Sequence, residues 1–302
     1  MIGLGGGASG QAWRRVLVRV LPATLATFVA GAAAAGQTIR FAPRPMEDER
    51  IVHEQFDDLA RSLEETTGLT LRWAFYRDNL EIIERFKAGE IDLAYLGPLP
   101  HVVLARDFPA AQSIGCFRDE DGTAGYTCSL MVNGDSDLTL DRLQGVRIGL
   151  TQPYSTCGYL AVSHLLGSVG LTLDGDGNTY RYTGSHSNAA LALARGEFDV
   201  VGVKTTIGKR YQHLDLKFIA TSPPYPGFAL IANTATLAPD TVAALRAAVL
   251  ALDPVRSPAL AKRMEGWVDH LRYGVAPPGA CDYRPVAAAL DRLPWSIPGS
   301  PR

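Results

Sequence analysis

Two segments of this chain repeat one another in register, and this repeat restricts the possible folds more than any other feature. Residues 79–93 read NLEIIERFKAGEIDL, and residues 186–200 read HSNAALALARGEFDV. Each has apolar residues at helical spacing, then a Gly-Glu-X-Asp turn, then the start of an apolar run. This order predicts a helix that stops at the glycine and leads into a buried strand. Asn79 and His186 therefore occupy equivalent positions at the starts of two equivalent helices.

Strands and helices alternate around both copies of the repeat. The predicted strands are residues 39–42, 69–75, 91–96, 146–150, 179–182, 198–203, 216–220 and 228–232. Such alternation predicts mostly parallel sheets with helices on their faces, and two such series predict two α/β lobes that face each other across a cleft. We expect the chain to cross between the lobes near Asn133 and near Ser222. Ligands of open α/β sheets bind beyond the carboxyl ends of the strands, where Asn79 and His186 are expected.

The first 36 residues have the pattern of a secretory signal peptide. Arg14, Arg15 and Arg19 precede a short apolar run over residues 20–32, and small residues follow at 32–36. A positive segment, a short apolar core and small residues at the end are typical of a cleaved export signal, whereas a membrane anchor needs a longer apolar core. An uncleaved anchor is the alternative.

The composition is that of a folded protein without an affinity for nucleic acid. The chain has 302 residues, of which 47% are hydrophobic and 20% charged, and its formal net charge is −2. It has no long basic block, so no nucleic-acid partner is expected.

The four cysteines are compatible with disulfides, because export leads to an oxidising compartment. Cys116 and Cys128 lie symmetrically about Gly122, so a hairpin could place them on paired strands, but Cys157 and Cys281 leave other pairings open. No CxxC or Cys/His cluster indicates a metal, and no cofactor is expected.

The loop Tyr-Ser-Thr-Cys-Gly at residues 154–158 lies between a predicted strand and a predicted helix. Such a junction directs free backbone N–H groups to one point and adds the positive end of the helix dipole, which suits an oxyanion. The alternative is an ordinary turn in which Ser155 only caps the helix.

Four motifs resemble those of the phosphate, phosphite and phosphonate-binding periplasmic proteins that supply ABC importers. They are GEIDLAYLGP at 89–98, GY at 125–126, YSTCG at 154–158 and GSHSNAALALA at 184–194. The resemblance implies a two-lobe, type II periplasmic binding protein fold with residues 37–132 and 223–302 in one lobe and 133–222 in the other. It also implies a periplasmic monomer without catalytic activity that captures a small oxyanion and delivers it to an ABC permease.

The resemblance implies six ligand-binding residues. They are Asn79, Tyr126, Ser155, Thr156, Cys157 and His186. Relatives that bind aminoalkyl phosphonates pair the ligand amine with carboxylates, and the matching positions here are Thr206 and Phe228. An aminophosphonate is therefore not the expected ligand, because its ammonium would lose those partners.

Cys157 stands where the family has a third hydroxyl, and this departure admits a second hypothesis. Within the same superfamily, arsenite-binding proteins signal to a membrane histidine kinase and rely on a cysteine, so Cys157 or Cys128 could bind arsenite. The third hypothesis is a hydrolase that uses Ser155 and His186. The sequence disfavours it because no orienting acid and no G-x-S-x-G motif accompany the pair.

Overall fold

The computed structural model describes residues 36–45 and 49–292. The predicted signal peptide, apart from Gly36, lies outside the described residues. In the part of the chain that is described, no helix is long and apolar enough to cross a membrane.

The first sheet has six strands in the order β13-β4-β12-β3-β1-β2. Its strands are β1 (Thr38–Ala42), β2 (Thr70–Trp73), β3 (Leu93–Leu96), β4 (Ala111–Phe117), β12 (Ala229–Asn233) and β13 (Val275–Ala276). Strand β1 is parallel to β2 and β3, as the β-α-β alternation predicts. Strand β12 is antiparallel to β3 and β4, and β13 is antiparallel to β4, so the sheet is mixed rather than mostly parallel.

The second sheet has five strands in the order β10-β6-β9-β7-β8. Its strands are β6 (Cys128–Asn133), β7 (Arg147–Leu150), β8 (Thr179–Tyr182), β9 (Val200–Lys204) and β10 (Leu216–Thr221). Strand β7 is parallel to β8 and β9, whereas β6 is antiparallel to β9 and β10. The strands that follow the two crossings, β6 and β12, are antiparallel to both of their neighbours.

Helices cover both sheets. They are α1 (Glu49–Thr67), α2 (Asn79–Lys87), α3 (Pro98–Asp107), α4 (Ala161–Ser168), α5 (His186–Ala194), α6 (Thr205–Lys209), α7 (Pro239–Leu250), α8 (Pro258–Met264) and α9 (Arg284–Arg292). One buried apolar cluster runs from Leu96 and Leu99 of the first lobe through Tyr126 to Tyr154 and Leu160 of the second. The two lobes are therefore in apolar contact beside the loop at residues 154–158.

The two crossings between the lobes pair with each other in a short antiparallel ribbon, formed by β5 (Gly125–Tyr126) and β11 (Tyr225–Pro226). The two-lobe fold with two hinge crossings is thus confirmed. The prediction that the first crossing lies near Asn133 is wrong, because β6 already pairs with β9 and β10 of the second sheet. Residues 128–132 therefore belong to the second lobe, and what was predicted as a hairpin is the crossing itself.

The internal repeat is visible in matching helix starts. Asp78 caps α2 by accepting the N–H of Glu81, and Ser185 caps α5 by accepting the N–H of Asn188. Asn79 and His186 are consequently the first helical residues of α2 and α5. The N-cap of α2 is thus Asp78, which leaves the side chain of Asn79 free of a capping role.

The repeat also fixes an ion pair in each lobe. Asp92 accepts bonds from the backbone N–H and the guanidinium of Arg40 on β1. Asp199 accepts the same set from Arg147 on β7. The aspartates of the two Gly-Glu-X-Asp turns therefore tie the turn after each helix to a parallel strand of the same sheet, β1 or β7.

The cysteines form two disulfides, Cys116–Cys281 and Cys128–Cys157. The predicted possibility of a Cys116–Cys128 bond is wrong, because those residues lie on strands of different sheets. The first disulfide joins β4 to the segment before α9, and the second lies within the second lobe. Each therefore stabilises the fold on one side of the first crossing.

Candidate ligand-binding site

All six predicted ligand-binding residues line one small cavity between the lobes, here called the anion cavity. Its other lining residues are Arg44, Gly97, Pro100, Tyr154, Lys204 and Phe228. The cavity volume, counted as the space that the centre of a water molecule can occupy, is about 20 Å³. None of the six predicted residues is more than 8% exposed. The cavity is thus nearly closed and fits only a ligand of a few heavy atoms.

Ser155 is placed with its hydroxyl proton available to a ligand. Its Oγ accepts the N–H of Gly158 at 3.0 Å and the hydroxyl of Thr151 at 2.8 Å. Because both bonds use Oγ as acceptor, the proton of Ser155 remains for another acceptor. The preceding residue, Tyr154, has a φ of 59°, a left-handed conformation that costs a non-glycine residue about 1–3 kcal/mol. This strained turn directs residues 155–157 at the cavity.

Two backbone N–H groups of the same loop are further hydrogen-bond donors beside the Ser155 hydroxyl. The loop continues into a π-helical turn, Thr156–Leu160, that leads into α4. Tyr159 and Leu160 donate their N–H groups to the carbonyl of Ser155. Among the described residues, the N–H groups of Thr156 and Cys157 have no backbone acceptor, as expected at a helix N-terminus. These groups are suited to an oxyanion.

His186 is held as a neutral ring at the opposite side of the cavity. Its Nδ1 accepts the backbone N–H of Lys204 at 3.2 Å. Burial, with the positive charges of Arg44 and Lys204, lowers the pKa of His186 to about 3. A neutral ring whose Nδ1 accepts must carry its proton on Nε2, which makes His186 a hydrogen-bond donor without a charge.

Thr156 forms a hydrogen bond between the lobes, and Tyr126 lines the cavity beside Phe228. The Oγ1 of Thr156 accepts the N–H of Leu99 at the start of α3, at 3.0 Å. Burial raises the pKa of Tyr126 far above its ordinary value, so the phenol stays protonated. The ring of Tyr126 stacks on Phe228 at 5.5 Å. The Thr156 side chain therefore links the lobes, while its backbone N–H has no backbone acceptor among the described residues.

Two basic residues line the anion cavity, and no carboxylate does among the described residues. The guanidinium of Arg44 lies 5.5 Å from the ring centroid of Phe228. The ammonium of Lys204 lies 2.8 Å from a carboxylate oxygen of Asp119 and 5.0 Å from the ring centroid of Tyr126. Burial lowers the pKa of Lys204, and Asp119 opposes that effect. A cavity with neutral donors and two nearby cations favours a small anion.

Several contacts link the lobes in this closed arrangement. Besides the Leu99–Thr156 bond, the side-chain amide of Gln152 donates to the carbonyl of Pro45, and Arg210 pairs with Asp269. Because partners come from both lobes, opening the cleft would break these bonds.

The thiol hypothesis for arsenite is contradicted by the second disulfide. Cys128 and Cys157 are bonded to each other, and the described residues include no free cysteine. A disulfide has no thiolate to bind arsenic. Cys157 thus contributes its backbone N–H and a tether to β6.

The hydrolase hypothesis also lacks its required geometry. The bonds of Ser155 are with Thr151 and Gly158, and Nδ1 of His186 accepts a backbone N–H instead of donating to a carboxylate. No orienting acid is therefore bonded to the histidine through Nδ1, as a triad requires.

Comparisons with known proteins identify the family of this chain. A two-lobe fold closed over an anion cavity defines a binding protein of the type II periplasmic class. Residues 41–271 match the family described as ABC transporter, phosphonate, periplasmic substrate-binding protein, and the chain belongs to that family. Its members are periplasmic substrate-binding components of transporters, which work with a permease.

Individual relatives are more distant. The phosphate-import protein PhnD of Mycolicibacterium smegmatis is 27% identical over 275 residues, which cover 84% of this chain and 85% of that protein. The phosphonates-binding periplasmic protein of Escherichia coli is 25% identical over 194 residues, which cover 60% and 56% of the two chains. PhnD1 of Prochlorococcus marinus, solved with methylphosphonate, has a TM-score of 0.71 at 15% identity and covers 85% of this chain and 99% of that one. At that identity, the structural likeness shows the fold alone.

Two lining residues, Arg44 and Lys204, were not among the residues predicted from the sequence. Arg44 follows β1 between two prolines, and Lys204 ends β9, so both lie beyond the carboxyl ends of strands. Ligands of open α/β sheets bind at such positions, so this placement could have identified both residues as candidates.

Proposed function

We propose that this protein captures a small phosphorus oxyanion, namely phosphate, phosphite or a simple phosphonate, and delivers it to an ABC permease. The observation that carries the proposal is the donor set of the anion cavity. The Ser155 hydroxyl, the N–H groups of Thr156 and Cys157 and the neutral ring of His186 converge there, with Arg44 and Lys204 beside them. All are donors or cations, so a tetrahedral anion satisfies them together.

The size and wall of the cavity narrow the ligand class. The space of about 20 Å³ is too small for a nucleotide or a long alkyl chain. Phe228 and Pro100 give the cavity an apolar wall, which is compatible with the methyl group of methylphosphonate or the P–H of phosphite. Uncharged arsenite gains little from the charge of Arg44, which further favours an anion.

The same proposal includes the form in which the protein acts. Residues 1–36 direct export, the protein works as a monomer, and the ligand is released unchanged rather than turned over. The N-terminal charge pattern supports export, and the missing acid partner of His186 supports binding without catalysis. Sequencing the N-terminus of the exported protein and measuring its mass in solution test the first two points.

Calorimetric titration of the purified protein with phosphate, phosphite, methylphosphonate and arsenite tests the ligand class. We expect saturable binding of at least one phosphorus oxyanion and none of arsenite. Ser155→Ala should weaken that binding by roughly 10- to 100-fold, since a hydrogen bond to a charged group contributes about 1.5–3 kcal/mol. Arsenite as the one ligand bound, or none of the four bound by folded protein, contradicts the proposal.

A further inference from the structure

Lys204 separates the anion cavity from a second small cavity, here called the side chamber. The side chamber is about 10 Å³ and is lined by Asp119 and His270 among others. Tyr126, Lys204 and Phe228 line both spaces. The lysine side chain and these two rings are thus the wall between an oxyanion clamp and a space that contains a carboxylate.

The ammonium of Lys204 is held as a bound cation would be. It pairs with Asp119 at 2.8 Å, where the two side chains are only 11% and 14% exposed, and it lies over the ring of Tyr126. A carboxylate on one side and an aromatic face on the other are the groups that recognise a ligand ammonium. Here the chain itself supplies the ammonium.

We propose that Lys204 sets the specificity of the site. Its ammonium occupies the position that the amine of an aminoalkyl oxyanion would otherwise take. The side chain closes the side chamber and neutralises Asp119, so ligands are restricted to oxyanions without an amine arm. This inference rests on the proposed function, because it takes the anion cavity as the oxyanion site.

Removal of the Lys204 side chain should change the preferred ligand from an oxyanion without an amine to one that carries an amine. Asp119, whose side chain is only 14% exposed, would then lose its ion-pair partner and be left with Arg118 as the other charged residue of the chamber. Removing one partner of a largely buried pair is costly unless a ligand supplies the missing cation. The side chamber would also open to the anion cavity. His270 adds a polar group there, since its buried Nε2 has no hydrogen-bond partner among the described residues. A short aminoalkyl phosphonate could then place its phosphonate in the anion cavity and its ammonium in the side chamber.

The test compares three ligands on the purified protein by calorimetry. Methylphosphonate probes the clamp, 2-aminoethylphosphonate adds an ammonium on a short arm, and propylphosphonate is the uncharged isostere of the latter. We expect the wild type to bind methylphosphonate and to reject the two longer ligands. Lys204→Ala should bind 2-aminoethylphosphonate roughly 10- to 100-fold more tightly than the wild type does, the range of a hydrogen bond to a charged group. It should prefer this ligand to propylphosphonate.

Two further variants separate charge from space. Lys204→Met keeps most of the volume without the charge and should gain no affinity for 2-aminoethylphosphonate. Lys204→Ala combined with Asp119→Asn opens the same space without the carboxylate and should lose the preference for the amine. A Lys204→Ala protein that melts cooperatively yet gains no affinity for 2-aminoethylphosphonate overturns the proposal, as does equal gain for propylphosphonate. Failure of the wild type to bind any phosphorus oxyanion is a different result, and it contradicts the proposed function itself.

Discussion

The Nδ1 atom of His186 accepts the backbone N–H of Lys204 at 3.2 Å, which ties the first residue of α5 to the last residue of β9. This bond fixes the orientation and the tautomer of the ring. It also links His186 directly to Lys204, and both residues line the anion cavity. The ring is neutral because burial and the nearby cations lower its pKa to about 3. A neutral Nε2–H keeps donating at any pH at which a periplasmic protein works.

We therefore expect His186 to act through its N–H and not through charge. His186→Leu should weaken binding of the phosphorus oxyanion by roughly 10- to 100-fold, since one donor to a charged group is lost. His186→Gln keeps an amide donor and should lose less. The ¹⁵N shifts of the ring should report the Nε2–H tautomer from pH 5.5 to 8. A ring that takes up a second proton within that range contradicts the assignment.

The second prediction concerns stability in acid. Burial lowers the pKa of His101 from its ordinary value of 6.5 to about 4, and it also lowers the pKa of His270. A lowered pKa means that the unfolded chain binds protons first, so the stability present above pH 6.5 is lost as the pH falls from 6.5 through 4. At pH 5 the shift of His101 alone removes about 2 kcal/mol, and His270 acts in the same direction.

Thermal unfolding between pH 7.5 and 4.5 measures this loss. His101→Phe removes the titrating group and keeps a ring against Tyr283, which His101 contacts at 4.4 Å between ring centroids. This variant should lose less stability in acid than the wild type. The matched control is His213→Asn, at an exposed position, which should follow the wild-type curve. Identical acid sensitivity of His101→Phe and the wild type contradicts the prediction.

The third prediction concerns the disulfide between Cys128 and Cys157, which ties the anion-binding loop to β6. Replacing both cysteines by serine should lower the free energy of unfolding by about 2–4 kcal/mol. It should also weaken oxyanion binding, because the N–H of Cys157 is no longer held in place.

Serine at both Cys116 and Cys281 is the matched control, since that disulfide lies outside the anion cavity. The control should lose stability and keep its ligand affinity. Equal affinity in both double variants shows that the Cys128–Cys157 tether has no part in binding.

Much of the fold was predictable because its signals are local. The helical spacing, the Gly-Glu-X-Asp turns and the β-α-β order depend on neighbours in sequence, so the repeat placed Asn79 and His186 correctly. Strand β6 was assigned to the wrong lobe because its apolar run is compatible with either sheet. Only the pairing partners, β9 and β10, distinguish the two possibilities.

The site was predictable in part, for a similar reason. The six residues taken from motifs do line one cavity, but their contacts with ligand stay a prediction. The pairing of Cys128 with Cys157 and the position of Asp119 against Lys204 join residues far apart in sequence. Such contacts depend on the tertiary fold, and the sequence pattern gives no distance between residues that are far apart along the chain.

Gly158 supports the fourth prediction. A Cβ at this position would lie 2.0 Å from the Oγ1 and 2.5 Å from the backbone N of Thr151. The backbone atom cannot move away cheaply, so Gly158→Ala should displace the loop, cost about 1–3 kcal/mol and abolish oxyanion binding. Calorimetry and thermal unfolding measure both effects.

Gly167 gives the matched control for that substitution. It lies in α4, shortly after the same loop, and nothing lies within 4 Å of its Cβ position. Gly167→Ala should leave binding unchanged and stabilise the protein by about 0.4–1 kcal/mol. Tight oxyanion binding by Gly158→Ala contradicts the argument that the loop needs this close approach.

The last prediction concerns closure of the cleft. The Thr156 side chain bonds Leu99 of the other lobe, so Thr156→Val leaves the N–H of Leu99 without its acceptor in the closed form only. An unsatisfied buried donor costs about 1–3 kcal/mol, which should weaken binding by roughly 5- to 150-fold. The backbone N–H of residue 156 is retained, so the loss should appear as faster ligand release and a larger radius of gyration with ligand. Thr156→Ser keeps the hydroxyl and should behave as the wild type. An unchanged release rate in Thr156→Val contradicts the assigned role of this bond in holding the lobes closed.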